Sequence, residues 1–245
     1  MRNIRMKLTF DGSRYSGWQR LGDDDNTIQG KLERLLSKMT DEKINVIGCS
    51  RTDKGVHALA YVCNFFIHSQ MTTDEMEDYI NHYLPDDIVA HNLEEVDERY
   101  HSRYNAKSKL YRYILDNNKY QDVFTRRYTS HISESLDIKL MEEAASYLIG
   151  THDFTSFTTM KSKKKSYIKT IIDIRITREN NYIYFNYEGD GFLHNMIRII
   201  TGTLIRVGKK EISPKDIKDI LEAKDRSIAG PMIEAKGLTL VEVKY

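Results

Sequence analysis

Apolar and polar residues alternate along 2–10 (RNIRMKLTF), the two-residue period of a half-buried strand. A polar, Gly-containing loop follows. Asn26-Thr27-Ile28-Gln29 then reads as a helix start, with Asn26 as N-cap and Gln29 three residues on. Ile28, Leu32, Leu35, Leu36 and Met39 recur at helical spacing and predict an amphipathic helix over 27–39. Segments 44–49 (INVIGC) and 59–67 (LAYVCNFFI) read as strands, rich in aromatic and β-branched residues. Thr72 and Glu75 form a capping box that opens a helix over 73–83, stopped by Pro85, and 88–95 is a further strand.

The resulting order, β-α-β-β-α-β, is the ferredoxin-like arrangement, in which both helices cover one face of an antiparallel sheet. The second half repeats it. Strand 108–115 leads to a helix over 136–149 closed by Gly150 at C′, then strand 167–177, an Asn180-Asn181 turn and strand 182–188. A helix over 192–207 ended by Gly208, a short helix opened by Ser213-Pro214, and strand 238–244 complete the chain. The expected fold is α+β, with two tandem ferredoxin-like units at 1–103 and 104–245 and a cleft between them. The halves share a pattern without sequence identity, and many unrelated proteins use this topology, so fold alone says little about function.

Composition narrows the classes. Two cysteines in 245 residues exclude a disulfide framework and a four-Cys metal site. The most apolar stretch, 192–207, is broken by His194, Asn195, Arg198 and Arg206 and is no membrane span. Asp11 arrives before a signal-peptide apolar region forms, so a cytoplasmic protein is expected. The net charge of +1 hides an uneven distribution. Residues 69–100 carry ten acidic side chains and one basic, whereas 101–130 carry seven Lys/Arg against two Asp, interleaved with six aromatic residues that follow Tyr100. Lys161, Lys163, Lys164, Lys165 and Lys169 form a second basic cluster. Cations suit phosphates and rings suit unpaired bases; a solvated loop and core tyrosines are the plainer alternative.

The segment with most chemistry is Gly48-Cys49-Ser50-Arg51-Thr52-Asp53-Lys54-Gly55-Val56-His57-Ala58. A carboxylate held in a turn between cations stays ionised at neutral pH, fit to act as a nucleophile or electrostatic partner. The same Asp could instead simply accept backbone hydrogen bonds in its turn.

This segment resembles the R-T-D-x-G-V-H-A signature of the tRNA pseudouridine synthase A family. Phe10-Asp11-Gly12 with Tyr15-Ser16-Gly17-Trp18-Gln19, and then Thr27-Ile28-Gln29, resemble its N-terminal blocks. Tyr100 to Ala106, Lys109-Leu110-Tyr111-Arg112-Tyr113, Gly150 to Phe157, Phe192 to Arg198, and Ala229-Gly230-Pro231 with Ala235 to Leu238 resemble the later ones. The resemblance spans nearly the whole chain, and blocks in the same order are far more specific than any one of them.

What the resemblance implies is a cofactor-free isomerase that converts uridine to pseudouridine in tRNA, at positions 38 to 40 of the anticodon stem-loop. It implies Asp53 as the catalytic carboxylate, Tyr111 as the ring packed on the flipped uracil, and Arg198 as the cation paired with Asp53. It also implies a cleft that gathers all three, and a homodimer with no membrane association. Arg51, Lys54, His57 and Arg103 are expected near phosphates or the cleft, Arg14 and Arg20 beside them, and Lys163, Lys164 and Lys165 on the RNA backbone. Trp18 reads as structural more than RNA-facing, and Cys49 and Cys63 as small buried residues. Three departures concern the target: Lys54 where the family commonly has Ala, Met232-Ile233-Glu234 in the C-terminal block, and the acidic run Asp23-Asp24-Asp25. Rival readings are a paralogue acting on ribosomal RNA or another tRNA position, and a non-catalytic RNA-binding protein. An Asp-dependent hydrolase would need a second carboxylate or a metal constellation.

Replacing Lys163, Lys164 and Lys165 with Ala should lower the slope of log RNA affinity against log salt by roughly two to three, if each lysine meets one phosphate. An unchanged slope in a salt titration would show that this loop does not touch the backbone.

Overall fold

A computed structural model describes residues 1–22, 26–162 and 166–245. The chain forms two compact units, Met1–Lys107 with Thr239–Tyr245, and Ser108–Leu238.

In the first unit, strand β1 (Arg2–Phe10) pairs antiparallel with β3 (His57–Ile67) and β4 (Ile88–Val96), and the two-residue β2 (Ile47–Gly48) lies on β3. Strand β10 (Leu238–Lys244) runs parallel to β3, with Thr239 opposite His57 and Leu240 opposite Ala58. Register places Ile4 opposite Phe65, Met6 opposite Cys63 and Leu8 opposite Tyr61, so one face of the sheet is apolar. These residues are buried with Ile28, Leu32 and Leu36 of helix α1 (Ile28–Thr40) and Met76 and Ile80 of helix α2 (Thr73–Tyr83). Each fully buried aliphatic side chain stabilises the unit by about 1.5–3 kcal/mol.

The opposite face carries a buried polar network. Asn64 Oδ1 accepts from the backbone N–H (2.9 Å) and hydroxyl (2.7 Å) of Ser102. The Asn64 amide donates to Asn3 Oδ1 (2.9 Å), and Asn3 donates to the carbonyls of Asp97 and Tyr100, both at 3.0 Å. The Tyr245 hydroxyl donates to the carbonyl of Ser102 (2.8 Å). Together these bonds fasten the irregular segment 97–105 to the sheet.

In the second unit, β5 (Ser108–Asp116), β9 (Tyr182–Gly189), β8 (Ile168–Glu179) and β7 (Gly150–Asp153) form an antiparallel sheet in that order, with β6 (Ser130–His131) parallel to β5. Helices α3 (Ile138–Ser146), α4 (Met196–Gly208) and α5 (Asp216–Ala223) complete it. Helix α4 is buried at eleven of its thirteen positions, a core helix apolar on nearly every side. Its Thr201 and Thr203 hydroxyls return to the carbonyls of Ile197 and Ile199, which satisfies them inside the apolar surroundings. Among the described residues no helix is long and apolar enough to cross a membrane.

The first half has the expected order β-α-β-β-α-β; the second adds β6 and β7, and its last strand, β10, pairs with β3, so residues 239–245 belong to the first unit rather than to the expected 104–245 unit. Several edges also differ for identifiable reasons. Thr27, not Asn26, caps α1, accepting from Gly30 N–H (3.2 Å), because Asn26 donates to the carbonyl of Arg14. Residues 44–46 lie outside β2: Ile44 and Val46 donate instead to the side chains of Ser37 (2.9 Å) and Glu33 (3.1 Å). Helix α3 stops at Ser146, and Gly150, at φ +110°, opens β7 rather than closing the helix. Helix α4 begins at Met196, since Asn195 takes a left-handed φ of 60°. Ser213 joins the side chain of Asp216 in a turn ahead of α5.

Asn64→Ala should destabilise the protein by roughly 2–3 kcal/mol, because Asn3 and Ser102 would be left buried without their partner. Urea unfolding checks this through a lowered midpoint, and a midpoint at the wild-type value would show that the network is dispensable.

Candidate active site

Asp53 sits in a turn between β2 and β3. Val56 N–H donates to the Asp53 carbonyl (3.1 Å), and Gly55 has φ +79° while Lys54 does not take a positive φ. These are the marks of a type II turn, whose third position requires the left-handed region that glycine enters freely. The turn leaves Asp53 half-buried with Arg51 and Lys54 exposed on either side.

Two glycines press the N-terminal blocks onto this turn. A Cβ on Gly12 would stand 2.0 Å from the carbonyl oxygen of Val56, and one on Gly17 would stand 2.7 Å from that of Thr52. Gly17 also has φ +111°, and the next residue, Trp18, donates its N–H to Thr52 O (3.0 Å). Buried Trp18 stacks on Tyr61 (4.0 Å between centroids, 26°), and Tyr61 donates its hydroxyl to the carbonyl of Ser50. The Trp18 ring is therefore structural. His57 is also buried, with Nδ1 3.1 Å from both the Gly12 N–H and a carboxylate oxygen of Asp11, which joins the D-G block to the turn. Thr52 Oγ1, beside Asp53, is buried with no hydrogen-bond partner among the described residues.

Other cations of the first unit divide by what they touch. Arg14 pairs with Asp87 (3.3 Å), which also accepts from the Tyr15 hydroxyl; burial, with that carboxylate beside it, pushes the Tyr15 phenol well above its ordinary range. Arg20 pairs with the buried Glu33 (3.0 Å). Gln29 spans this region: it accepts from Gln19 and Arg20 N–H and donates to Glu33 and Val46 O. Arg51 and Arg103 come together on one pocket, which His101, Tyr104 and Gln19 also line. Those last three were not among the candidates read from sequence, although each stands in one of the matching blocks. Lys163, Lys164, Lys165 and the acidic run Asp23-Asp24-Asp25 lie outside the described residues.

In the second unit, Tyr111 lies on β5 opposite Tyr187, only 6 % exposed, and Phe192 meets its ring edge-on (5.4 Å, 84°). Arg198, in the first turn of α4, donates from Nε to the carbonyl of Ile233 (2.7 Å) and from Nη1 to Asn195 Oδ1 (2.8 Å), which fixes the guanidinium. The C-terminal block is held against α4 without room for side chains. A Cβ on Gly202 would meet Pro231 O at 2.0 Å, and Gly230 N–H donates to Thr203 Oγ1 (2.8 Å). Just after the 150–157 block, Thr158 and Thr159 bond His194 (both 2.8 Å), and within it Asp153 accepts from Thr155 and Lys224. Burial works against the ionised Asp153, but those donors outweigh it and hold its carboxyl below the ordinary range.

Comparison with known proteins agrees with the motif pattern. The family model for tRNA pseudouridine synthase matches residues 8–105 and 144–245. A Bacillus cereus (strain ZK / E33L) protein named tRNA pseudouridine synthase A 2 is 44% identical over 245 residues, covering 100% of both chains. A Clostridium tetani protein named tRNA pseudouridine synthase A 1 is 49% identical, and a Clostridium acetobutylicum protein named tRNA pseudouridine synthase A is 46% identical, each over the same full span. Identity of this extent, with the family's own pattern matched over both segments, places the chain in the tRNA pseudouridine synthase family.

Proposed function

We propose that this protein isomerises uridine to pseudouridine in the anticodon stem-loop of tRNA, at positions 38 to 40. The observation that carries this reading is the Arg51 to Ala58 segment, with Asp53 set in a turn that the N-terminal family block grips through two glycines. In the reaction the bond from ribose C1′ to uracil N1 breaks, the base turns, and C5 bonds to C1′. C5 gives up its proton and N1 takes one up, so the reaction is redox-neutral and needs no group donor.

Asp53 is the catalytic carboxylate in this reading, either by adding to the base or by assisting departure at C1′. The Tyr111 ring, immobilised on β5 and against Phe192, is the surface for the flipped uracil. Extruding a base costs a few kcal/mol, which stacking and phosphate contacts offset. Arg198 supplies a guanidinium whose orientation is fixed by Ile233 and Asn195. Arg51, Lys54 and Arg103 serve the phosphates, with Lys163, Lys164 and Lys165 as further backbone contacts. Arg14 and Arg20 contribute through whatever reach their pairs with Asp87 and Glu33 leave them. His57 acts through Asp11 and Gly12 rather than on RNA directly. Homodimerisation rests on the family resemblance, and a cytoplasmic location on the two-cysteine composition.

One set of observations favours a second target. Lys54 and Met232-Ile233-Glu234 depart from the family pattern, and relatives carry the numbered names A 1 and A 2. A paralogue acting on another tRNA position or on ribosomal RNA would fit.

Asp53→Asn should abolish pseudouridine formation on a tRNA transcript while RNA affinity stays near wild type. Retained turnover would remove Asp53 from the mechanism, and equal turnover with an unrelated RNA-binding protein would leave only an RNA-binding role. Mapping pseudouridines in total RNA from a deletion strain should show loss at tRNA positions 38 to 40; loss confined to ribosomal RNA would overturn the target.

A further inference from the structure

The first unit contains a pocket of about 190 Å³ formed by four separated stretches of chain: Trp18-Gln19, Gln29, 46–51 and 101–104. Its volume is below the ~300–1,000 Å³ typical of drug-sized ligands, so it suits one small planar group. Arg51 and Arg103 line it, and among the described residues no acidic side chain does.

Its rim is pre-ordered. His101 N–H donates to Asn105 Oδ1 (2.7 Å), and Asn105 N–H returns to the His101 carbonyl (3.0 Å). His101 Nδ1 accepts from the backbone N–H groups of Arg103 (3.1 Å) and Tyr104 (3.2 Å). A nitrogen that accepts carries no proton, so the neutral ring holds its proton on Nε2. The imidazole stacks on Tyr104 (4.1 Å between centroids, 28°). Tyr104 is nevertheless 79 % exposed. Next to this turn, Ser102 is tied to the buried Asn64. A large ring held in a fixed pose at the surface has one face on His101 and little freedom to lose on binding, which favours a stacking partner. Beside it, two guanidinium groups favour an anion.

We propose that this pocket is a second nucleotide subsite, in which an unpaired base of the RNA stacks on Tyr104 while its phosphate meets Arg103 and Arg51. The proposal rests on the reading that the substrate is RNA and extends it to a nucleotide other than the isomerised uridine. Arg51 stands two residues before Asp53, so their Cα atoms are at most about 7.6 Å apart. The bound nucleotide is therefore a near neighbour of the target uridine. Tyr104 is a specificity residue in this scheme: it selects RNA in which a base close to the target is free to leave its stack.

The test uses the full-length protein and an anticodon stem-loop RNA in which 2-aminopurine replaces each nucleotide flanking the target uridine in turn. Wild-type protein should change the fluorescence strongly at one flanking position. Tyr104→Ala should remove that change and weaken RNA binding by about tenfold, the scale of one aromatic–base stack. Tyr104→Phe should preserve both. Arg103→Ala should keep the fluorescence change and lower the slope of log affinity against log salt by about 0.7–0.9. A Tyr104→Ala protein with the wild-type melting temperature, an intact fluorescence change and affinity within about twofold of wild type overturns the subsite; pseudouridine formation by the same protein would leave the enzymatic reading standing. Wild-type protein that binds and reports stacking but forms no pseudouridine supports the subsite and overturns the enzymatic reading. Wild-type protein that does not bind the RNA overturns both.

Discussion

The first unit depends on the close approach of backbone to backbone at Gly12 and Gly17. Both glycines face carbonyl oxygens of the Thr52–Val56 turn at distances that exclude a Cβ. Carbonyls of a tight turn cannot step aside as a flexible side chain can, so the spacing of the N-terminal blocks is set by the turn they grip. Asp53 inherits its orientation from this arrangement. Its own turn supplies one hydrogen bond, and Trp18 and His57 supply the flanking anchors at Thr52 and at Asp11-Gly12. Trp18 participates through its backbone N–H and its stack on Tyr61. Under the proposed function, a carboxylate that must act on one atom of a bound base gains precision from such a frame, because the main chain fixes its Cα and Cβ.

The second unit uses the same device on different elements. Gly202 on α4 and Gly230 in the C-terminal block let two stretches of backbone touch, and the hydroxyl of Thr203 bonds across the contact. This brings Ile233 to where its carbonyl accepts from Arg198. The Arg198 side chain is thus oriented by a segment thirty-five residues further along the chain. Tyr111 is constrained differently, by its β-ladder position and the edge of Phe192.

Elements with a clear period and a complete cap were legible in the sequence. Strand 2–10, helix 73–83 with its capping box, and strand 238–244 occupy the positions the pattern gave them to within a residue. Pattern was a poor guide where a distant side chain takes over a backbone group. Glu33 and Ser37 occupy the N–H groups of Val46 and Ile44, and the apolar run 44–49 is left with a two-residue strand. The residues 192–195 carry helical apolarity but are spent on a ring contact with Tyr111 and on bonds to Thr158 and Thr159. The pairing of β10 with β3 joins positions some 180 residues apart, which no local pattern encodes. Asp53 and Gly55 were legible because chemistry and turn requirement are adjacent. That His101 and Tyr104 line one pocket was not, because it depends on separated stretches of chain meeting there.

The near-zero net charge is explained by the same distinction between local pattern and spatial use. Much of the acidic stretch 69–100 is committed inside its own unit. Glu94 and Glu95 pair with Arg5 and Arg2, Asp87 with Arg14 and Tyr15, and Glu75 closes the cap of α2. Such groups add to the formal total while their fields are largely cancelled at short range, within the ~10 Å over which charges are felt at 0.1 M salt. An approaching polyanion responds to the local field, and at the proposed subsite the lining supplies Arg51 and Arg103 with no acidic side chain among the described residues.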